Sequence, residues 1–152
     1  RSIGQTELAL ELMCERAQER KTFGKYLYER DNVADMIAES RIEIDQARLL
    51  VLKTAWMIDE VGAKAARKEI SMIKALVPKM QTTVIDRAMQ VFGAMGMSPD
   101  TPLADLYTWG RALRYADGPD AVHLRSIARM EIKHSRERLG EAAKYLTIPD
   151  RL

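Results

Sequence analysis

The residues best equipped for chemistry stand close together: Asp117-Gly118-Pro119-Asp120 sets two carboxylates around a Gly-Pro pair just ahead of an apolar-periodic segment. A carboxylate in that place commonly caps the helix by accepting backbone N–H bonds. Held at a helix N-terminus, the same group can instead act as a general base, with helix amides available to polarise a substrate oxygen. Capping is the commoner use, and residue type alone leaves both open. Two further pairs, Asp120-Ala-Val-His123 and Glu131-Ile-Lys-His134, have the carboxylate-x-x-His spacing used by metal-binding bundles. Such pairs must converge from different helices, whereas these share one helix and lie about 16 Å apart along it. They cannot share a metal, and none is expected. Arg20, in the run from Glu15 to Lys21, reads first as part of a solvated helix face. Met95 and Met97 flank Gly96 where no core periodicity explains them, while Met36, Met57 and Met80 read as core filling.

The elements that must position these residues are helical. Four of the five prolines lie at or beyond Pro99 and aromatic residues make up 6% of the chain, which favours helices over strands. The clearest helix starts at Asp31-Asn32, a capping pair, and stops at Gly62. From Val33 through Ser40, Ile44 and Thr54 to Ile58, alternating steps of four and three make one seam. Leu49, Leu50, Leu52, Trp56 and Met57 add apolar surface away from that seam, so this helix should contact neighbours on more than one side. A shorter helix over Ser2–Arg20, with Ile3, Leu8, Leu12 and Ala17 inward, precedes it, followed by a Thr22-Phe23-Gly24 connection. A third covers Ala63–Phe92, where Pro78 is expected to kink it near Lys74 or split it. A Gly- and Met-rich loop over 93–99, a short helix over Leu103–Tyr115, the turn at Asp117–Asp120 and a last helix over Pro119–Tyr145 complete the chain. The expected fold is all-α: a single domain over residues 1–152, an up-and-down bundle with long antiparallel helices.

Composition bounds the function. With 152 residues, 47% hydrophobic and 30% charged, the chain can build one core. A net charge of +2, scattered along the sequence, gives no concentrated basic face for nucleic acid. The longest uncharged stretch, Ala88 to Pro99, falls well short of the roughly 20 apolar residues that span a bilayer. Cys14 is the single cysteine, so no internal disulfide can form and a reducing compartment fits. The chain opens Arg1-Ser2-Ile3-Gly4 directly into a periodic pattern, without Met or a signal-peptide run, and is read as a piece of a longer protein.

Three segments in this order resemble the C-terminal domain of the acyl-CoA dehydrogenase family, over nearly the whole chain. Ala17-Gln-Glu-Arg20-Lys-Thr22-Phe23-Gly24 is similar to the family's Ala-x-x-Arg-x-x-Phe-Gly motif, whose arginine binds the FAD diphosphate of a neighbouring subunit. Gln90-Val91-Phe92-Gly93-Ala94-Met95-Gly96 resembles the Gln-x-x-Gly-Gly-x-Gly loop at the adenine end of that FAD, with Ala94 in place of the second glycine. Arg114-Tyr-Ala-Asp117-Gly118-Pro119-Asp120 resembles the segment bearing the catalytic carboxylate and its following glycine. Asp117 stands where many members have Glu, and Pro119 where a flavin-bonding Thr is frequent, which leaves Asp120, Ala121 and backbone atoms for that contact. The Asp117 segment, with Lys68 to Lys74, resembles the branch containing family members ten and eleven.

The resemblance implies FAD-dependent α,β-dehydrogenation of an acyl-CoA thioester. Asp117 would be the catalytic base and Gly118 the substrate contact. Arg20, Thr22, Phe23, Gln90, Val91, Phe92, Gly93, Ala94, Pro119, Asp120 and Ala121 would meet the cofactor. It also implies a homodimer or homotetramer and an electron-transfer flavoprotein as electron acceptor. The implied compartment is the cytoplasm in a bacterium, or mitochondria or peroxisomes in a eukaryote. Lacking the family's N-terminal helical and middle β-domains, the piece would not turn over alone. The competing reading is a non-catalytic helical oligomerisation module.

Overall fold

The computed structural model describes residues 1–142, the last four of them by backbone only. Five helices account for most of these: α1 (Ser2–Glu19), α2 (Asp31–Val61), α3 (Arg67–Phe92), α4 (Leu103–Leu113) and α5 (Asp120–Ala142). The all-α reading is correct, and none of these helices is long and apolar enough to cross a membrane. The expected C-terminal limit of the last helix, Tyr145, lies outside the described residues.

α3 is the axis of the bundle. Its Val77, Met80, Val84, Ala88 and Val91 face inward at steps of three and four, as the sequence pattern requires, and pack with Met13 of α1, Ile44 of α2 and Leu103 of α4. Fully burying a side chain of this size contributes about 1.5–3 kcal/mol. The α2 seam accommodates Ser40 and Thr54 because their hydroxyls donate to the carbonyls of Met36 at 2.6 Å and Leu50 at 2.7 Å. A buried hydroxyl without such a partner would cost about 1–3 kcal/mol. Met80 is buried and Met36 and Met57 half-buried, in keeping with core filling.

Side-chain contacts give the helix directions. Arg87 of α3 pairs with Glu39 and Glu43 of α2, and Val51 further along α2 shares a cavity wall with the earlier Ile73 of α3, while Gln5 and Arg16 of α1 meet Gln81 and Phe92 of α3. Hence α1 and α3 run the same way and α2 runs against them. Gln81 also donates to the Leu106 carbonyl of α4 at 3.3 Å, Lys74 meets Gly118, and Lys68 meets Glu131 of α5. α4 and α5 therefore descend α3 in succession, as one fourth rod interrupted between Leu113 and Asp120.

Several local expectations need correction. The inward stripe of α1 is Ser2, Thr6, Ala9, Met13 and Ala17; Leu8 is 41% exposed and Leu12 half-buried, because small residues let α1 lie close against α3. Asp31 is the first residue of α2 and its side chain caps nothing; it still places negative charge at the positive end of the helix. Gly62, at φ 81°, ends α2 as expected, but the turn at 63–66 delays α3 to Arg67. Pro78 lies inside α3 without splitting it. The segment from Gly93 to Met97 is a 3-10 helix instead of a loop, pressed so close to α3 that a Cβ on Gly96 would lie 2.8 Å from Met89 backbone atoms. Finally, the Thr22–Gly24 connection is a hairpin, β1 (Lys21–Thr22) against β2 (Lys25–Tyr26), with Lys21 opposite Tyr26. Phe23 and Gly24 both have positive φ, 50° and 80°, as a two-residue type I′ turn requires.

Candidate active site

The break between α4 and α5 builds the first part of the site. After Leu113 the chain turns through residues 114–117, with Asp117 at φ 54° and Gly118 at φ 102°. A left-handed conformation costs an L-residue about 1–2 kcal/mol, and Asp is among the side chains that tolerate it best. Gly118 is needed on two counts: its positive φ, and a space in which an added Cβ would meet His123 Nε2 at 3.2 Å. The turn is tied to its surroundings. Arg114 Nε donates to Asp120 Oδ2 at 2.6 Å, Lys74 Nζ donates to the Gly118 carbonyl at 3.1 Å, and His123 Nε2 lies 3.1 Å from the Asp117 carbonyl.

The carboxylate of Asp117 is not consumed by the turn. Among the described residues it accepts no hydrogen bond, so neither it nor Asp120, which is committed to Arg114, acts as a side-chain cap of α5. Instead Asp117 lines a cavity of about 730 Å³ between α3 and the break, walled by apolar groups such as Ile3, Val51, Ile73, Val77 and Leu113. A carboxylate at the edge of an apolar hollow, beside the N-terminus of α5, is of the residue type that can take a proton from a bound molecule. The side chains of Asp120 and Glu131, the carboxylates of the two carboxylate-x-x-His pairs, are engaged by Arg114 and Lys68.

The second part lies at the far end of the bundle. α1 carries the chain from Ser2, at the cavity, to Arg20, roughly 27 Å away at about 1.5 Å per residue. Arg20 is exposed and pairs with no carboxylate among the described residues, leaving a planar cation available to an anion. Phe23, at the tip of the hairpin, is 98% exposed. The hairpin is braced by Arg30, which donates to the Thr22 carbonyl at 2.6 Å, and by Lys21 over the Tyr26 ring. Arg16 lies over the Phe92 ring, 5.5 Å from its centroid, and so brings the end of α3 beside the end of α1. Gln90, Gly93 and Ala94 are exposed there, whereas Val91 is buried and can offer a ligand only its backbone.

The sequence-derived residues thus fall into two groups at opposite ends: Arg20, Thr22, Phe23 and Gln90 to Ala94 at one, and Asp117 to Ala121 at the other. Sequence reasoning missed Lys74 and Arg114 as partners of the turn and considered His123 only as a metal ligand. No spacing rule could have found Lys74, because it reaches Gly118 across the bundle.

A family profile described as "Acyl-CoA dehydrogenase, C-terminal domain" matches residues 1–132. The chain is 56% identical over 143 residues to the probable acyl-CoA dehydrogenase FadE2 of Mycobacterium tuberculosis, covering 94% of this chain and 35% of that protein. It is 53% identical to acyl-CoA dehydrogenase family member 11 of Gallus gallus, with 91% of this chain and 18% of that protein covered, which agrees with the branch its Asp117 segment resembles. Among solved structures, a Mycobacterium abscessus protein assigned to the acyl-CoA dehydrogenases superposes with a TM-score of 0.87 at 46% identity, over 89% of this chain and 33% of that one. The chain therefore spans about a third or less of the length of the relatives it matches.

Proposed function

Because the chain belongs to the acyl-CoA dehydrogenase family, whose C-terminal domain it matches, we propose that it supplies the catalytic carboxylate and part of the FAD site to an enzyme dehydrogenating acyl-CoA thioesters between Cα and Cβ. The observation that carries this reading is the Asp117 carboxylate, unspent by its own turn and facing an apolar cavity large enough for an acyl chain. Bound FAD would supply the hydride acceptor for the β-hydrogen, and the protein's share is to orient the thioester and remove the α-proton. Asp117 takes that proton. The thioester α-proton is weakly acidic, so its oxygen needs hydrogen-bond donors as charge develops, and the backbone N–H of Asp117 is the donor this chain offers. Gly118 leaves room beside the carboxylate for the thioester.

The residue types fit an FAD whose contacts are divided between the two ends. Arg20 would bond the diphosphate, with Thr22 and Phe23 of the hairpin and the Gln90–Ala94 segment around the adenine end; Pro119, Asp120 and Ala121 would lie against the flavin of the other site. With about 27 Å of helix between them, the two groups serve different FAD molecules, so the domain works in an assembly of at least two copies. Exposed Leu49 (67%), Leu52 (59%) and Trp56 (61%) on α2 give that assembly an apolar face to bury. An electron-transfer flavoprotein is the electron acceptor in this reading.

The test is Asp117→Asn in the full-length flavoenzyme. Asn preserves size and tolerates left-handed backbone but cannot act as a carboxylate base, so anaerobic bleaching of flavin by acyl-CoA should slow at least about 10²-fold with flavin content unchanged. Bleaching at the parental rate would remove Asp117 from the mechanism.

A further inference from the structure

Lys74 has no carboxylate partner among the described residues. It stands on α3 in the wall of the cavity, half-buried, its aliphatic stem beside Ile70, Ile73 and Val77, and its ammonium group meets the Gly118 carbonyl at 3.1 Å. A lysine serving only solubility would extend into water, and one serving only stability would pair with one of the chain's many carboxylates. This one spends its charge on a backbone carbonyl of the turn that carries Asp117.

The turn needs such a tie from outside. Asp117 and Gly118 are successive residues at φ 54° and 102°, a conformation that isolated L-residues leave readily for extended or right-handed backbone. The Arg114–Asp120 ion pair closes the turn at its base, and His123 reaches the Asp117 carbonyl, yet both belong to the segment that includes the turn and α5. They move with it. Lys74 alone of these contacts joins the turn to the rigid core helix, forty-four residues earlier in the chain. Fixing the Gly118 carbonyl fixes the Gly118–Pro119 peptide plane on the C-terminal side of Asp117, and so restrains the turn from which the Asp117 side chain and N–H project.

We infer that Lys74 is a positioning residue for the dehydrogenation: it holds the Asp117–Gly118 turn against α3 so that carboxylate and backbone donor address the same substrate carbon and oxygen. The inference rests on the assignment of Asp117 as the base and adds to it a residue that never contacts the reacting atoms.

The experiment compares Lys74→Met, Lys74→Arg and Asp117→Asn in the full-length FAD-loaded enzyme, by anaerobic flavin bleaching, acyl-CoA binding and thermal unfolding. Lys74→Met keeps the apolar stem and loses the donor. It should slow bleaching about ten- to a hundredfold, the cost of a misplaced reacting group, with acyl-CoA affinity within about twofold and flavin content unchanged. Lys74→Arg retains a cationic donor and should return the rate to within about threefold of the parent. If Lys74→Met fails to fold, Lys74→Leu, which likewise has no donor, replaces it under the same criteria. A parental rate in the Met or Leu variant, with Asp117→Asn slow, overturns the positioning role alone. A rate loss that Arg does not rescue, or one matched by loss of flavin and of thermal stability, assigns Lys74 to structure and also overturns it. Parental bleaching in Asp117→Asn overturns the base assignment and the positioning role together.

Discussion

At two places the backbone enters the left-handed region at a bulky or charged residue followed by glycine, and the two turns are held in opposite ways. Asp117-Gly118 is tied by side chains from α3, from α5 and from its own flank, and it borders a cavity. Phe23-Gly24 is tied along its two-residue strands and by Arg30 at the Thr22 carbonyl, with nothing on the turn residues themselves, and the aromatic ring stands in solvent at 98% exposure. A left-handed residue persists only where its surroundings over-determine it. At Asp117 those surroundings lie within this chain; at Phe23 the ring has no packing partner among the described residues, which suits a group completed by another subunit's ligand. One end of the domain is held from within, and the proposed function assigns the other to a ligand shared with a second copy.

The contrast can be tested from both ends. The largest effect belongs to Arg20→Ala, which should weaken FAD retention of the full-length enzyme by about 1.5–3 kcal/mol through loss of a charged hydrogen bond. Flavin content after dialysis measures it, and full retention would mean that the hairpin end binds no cofactor. Next is Gly118→Ala, which must accept φ 102° and crowd His123 Nε2, and should cost about 1–3 kcal/mol. Thermal unfolding that matches the parent would show the turn to be freer than described.

Phe23→Asn sharpens the comparison through opposite signs. Asn-Gly is the preferred type I′ pair, so the flavin-free enzyme should gain up to about 1 kcal/mol while FAD retention falls. A stability loss would show that Phe23 already packs within the chain. The smallest effect concerns α1, which separates the two ends. Its Glu7 bonds Arg41 at 2.7 Å and Arg48, and the Arg41 hydrogen bond holds the Glu7 carboxyl below its ordinary 4.5. The folded value being depressed, this contribution is complete above about pH 4.5 and disappears as the pH falls through the folded value. Unfolding of parent and Glu7→Gln compared across pH should show a difference at neutral pH that vanishes in acid; a constant difference would deny the linkage.

Periodicity made the long helices legible because one burial pattern repeats over many turns, as the α2 seam through Val33, Ile44 and Thr54 shows. It misplaced the stripe of α1, where Ser2 and Thr6 take inward positions that a hydrophobicity count assigns to Leu8 and Leu12. Thr6 can be buried because its hydroxyl donates to the Ser2 carbonyl, a detail visible only with coordinates. The hairpin escaped notice because its strands have two residues each, too short for any alternation. At the candidate site, Asp117 and Gly118 stood out by type and order, but capping and catalysis make the same demand on sequence. The idle Asp117 carboxylate and the commitment of Asp120 to Arg114 set capping aside, and catalysis stays with the proposed function.

α3 touches both ends, with Lys74 at the cavity and Phe92 beside the hairpin. The interval between these residues is eighteen positions, which at about 3.6 residues per turn is close to five whole turns. The helix therefore presents its two terminal contacts in the same angular phase. Inserting one residue between them would rotate one end against the other by about 100° and displace it by about 1.5 Å. Changes in the length of α3 should thus be tolerated only near whole turns, and under the proposed function one rod of fixed phase would keep the base of one reaction aligned with the anion-binding end offered to another.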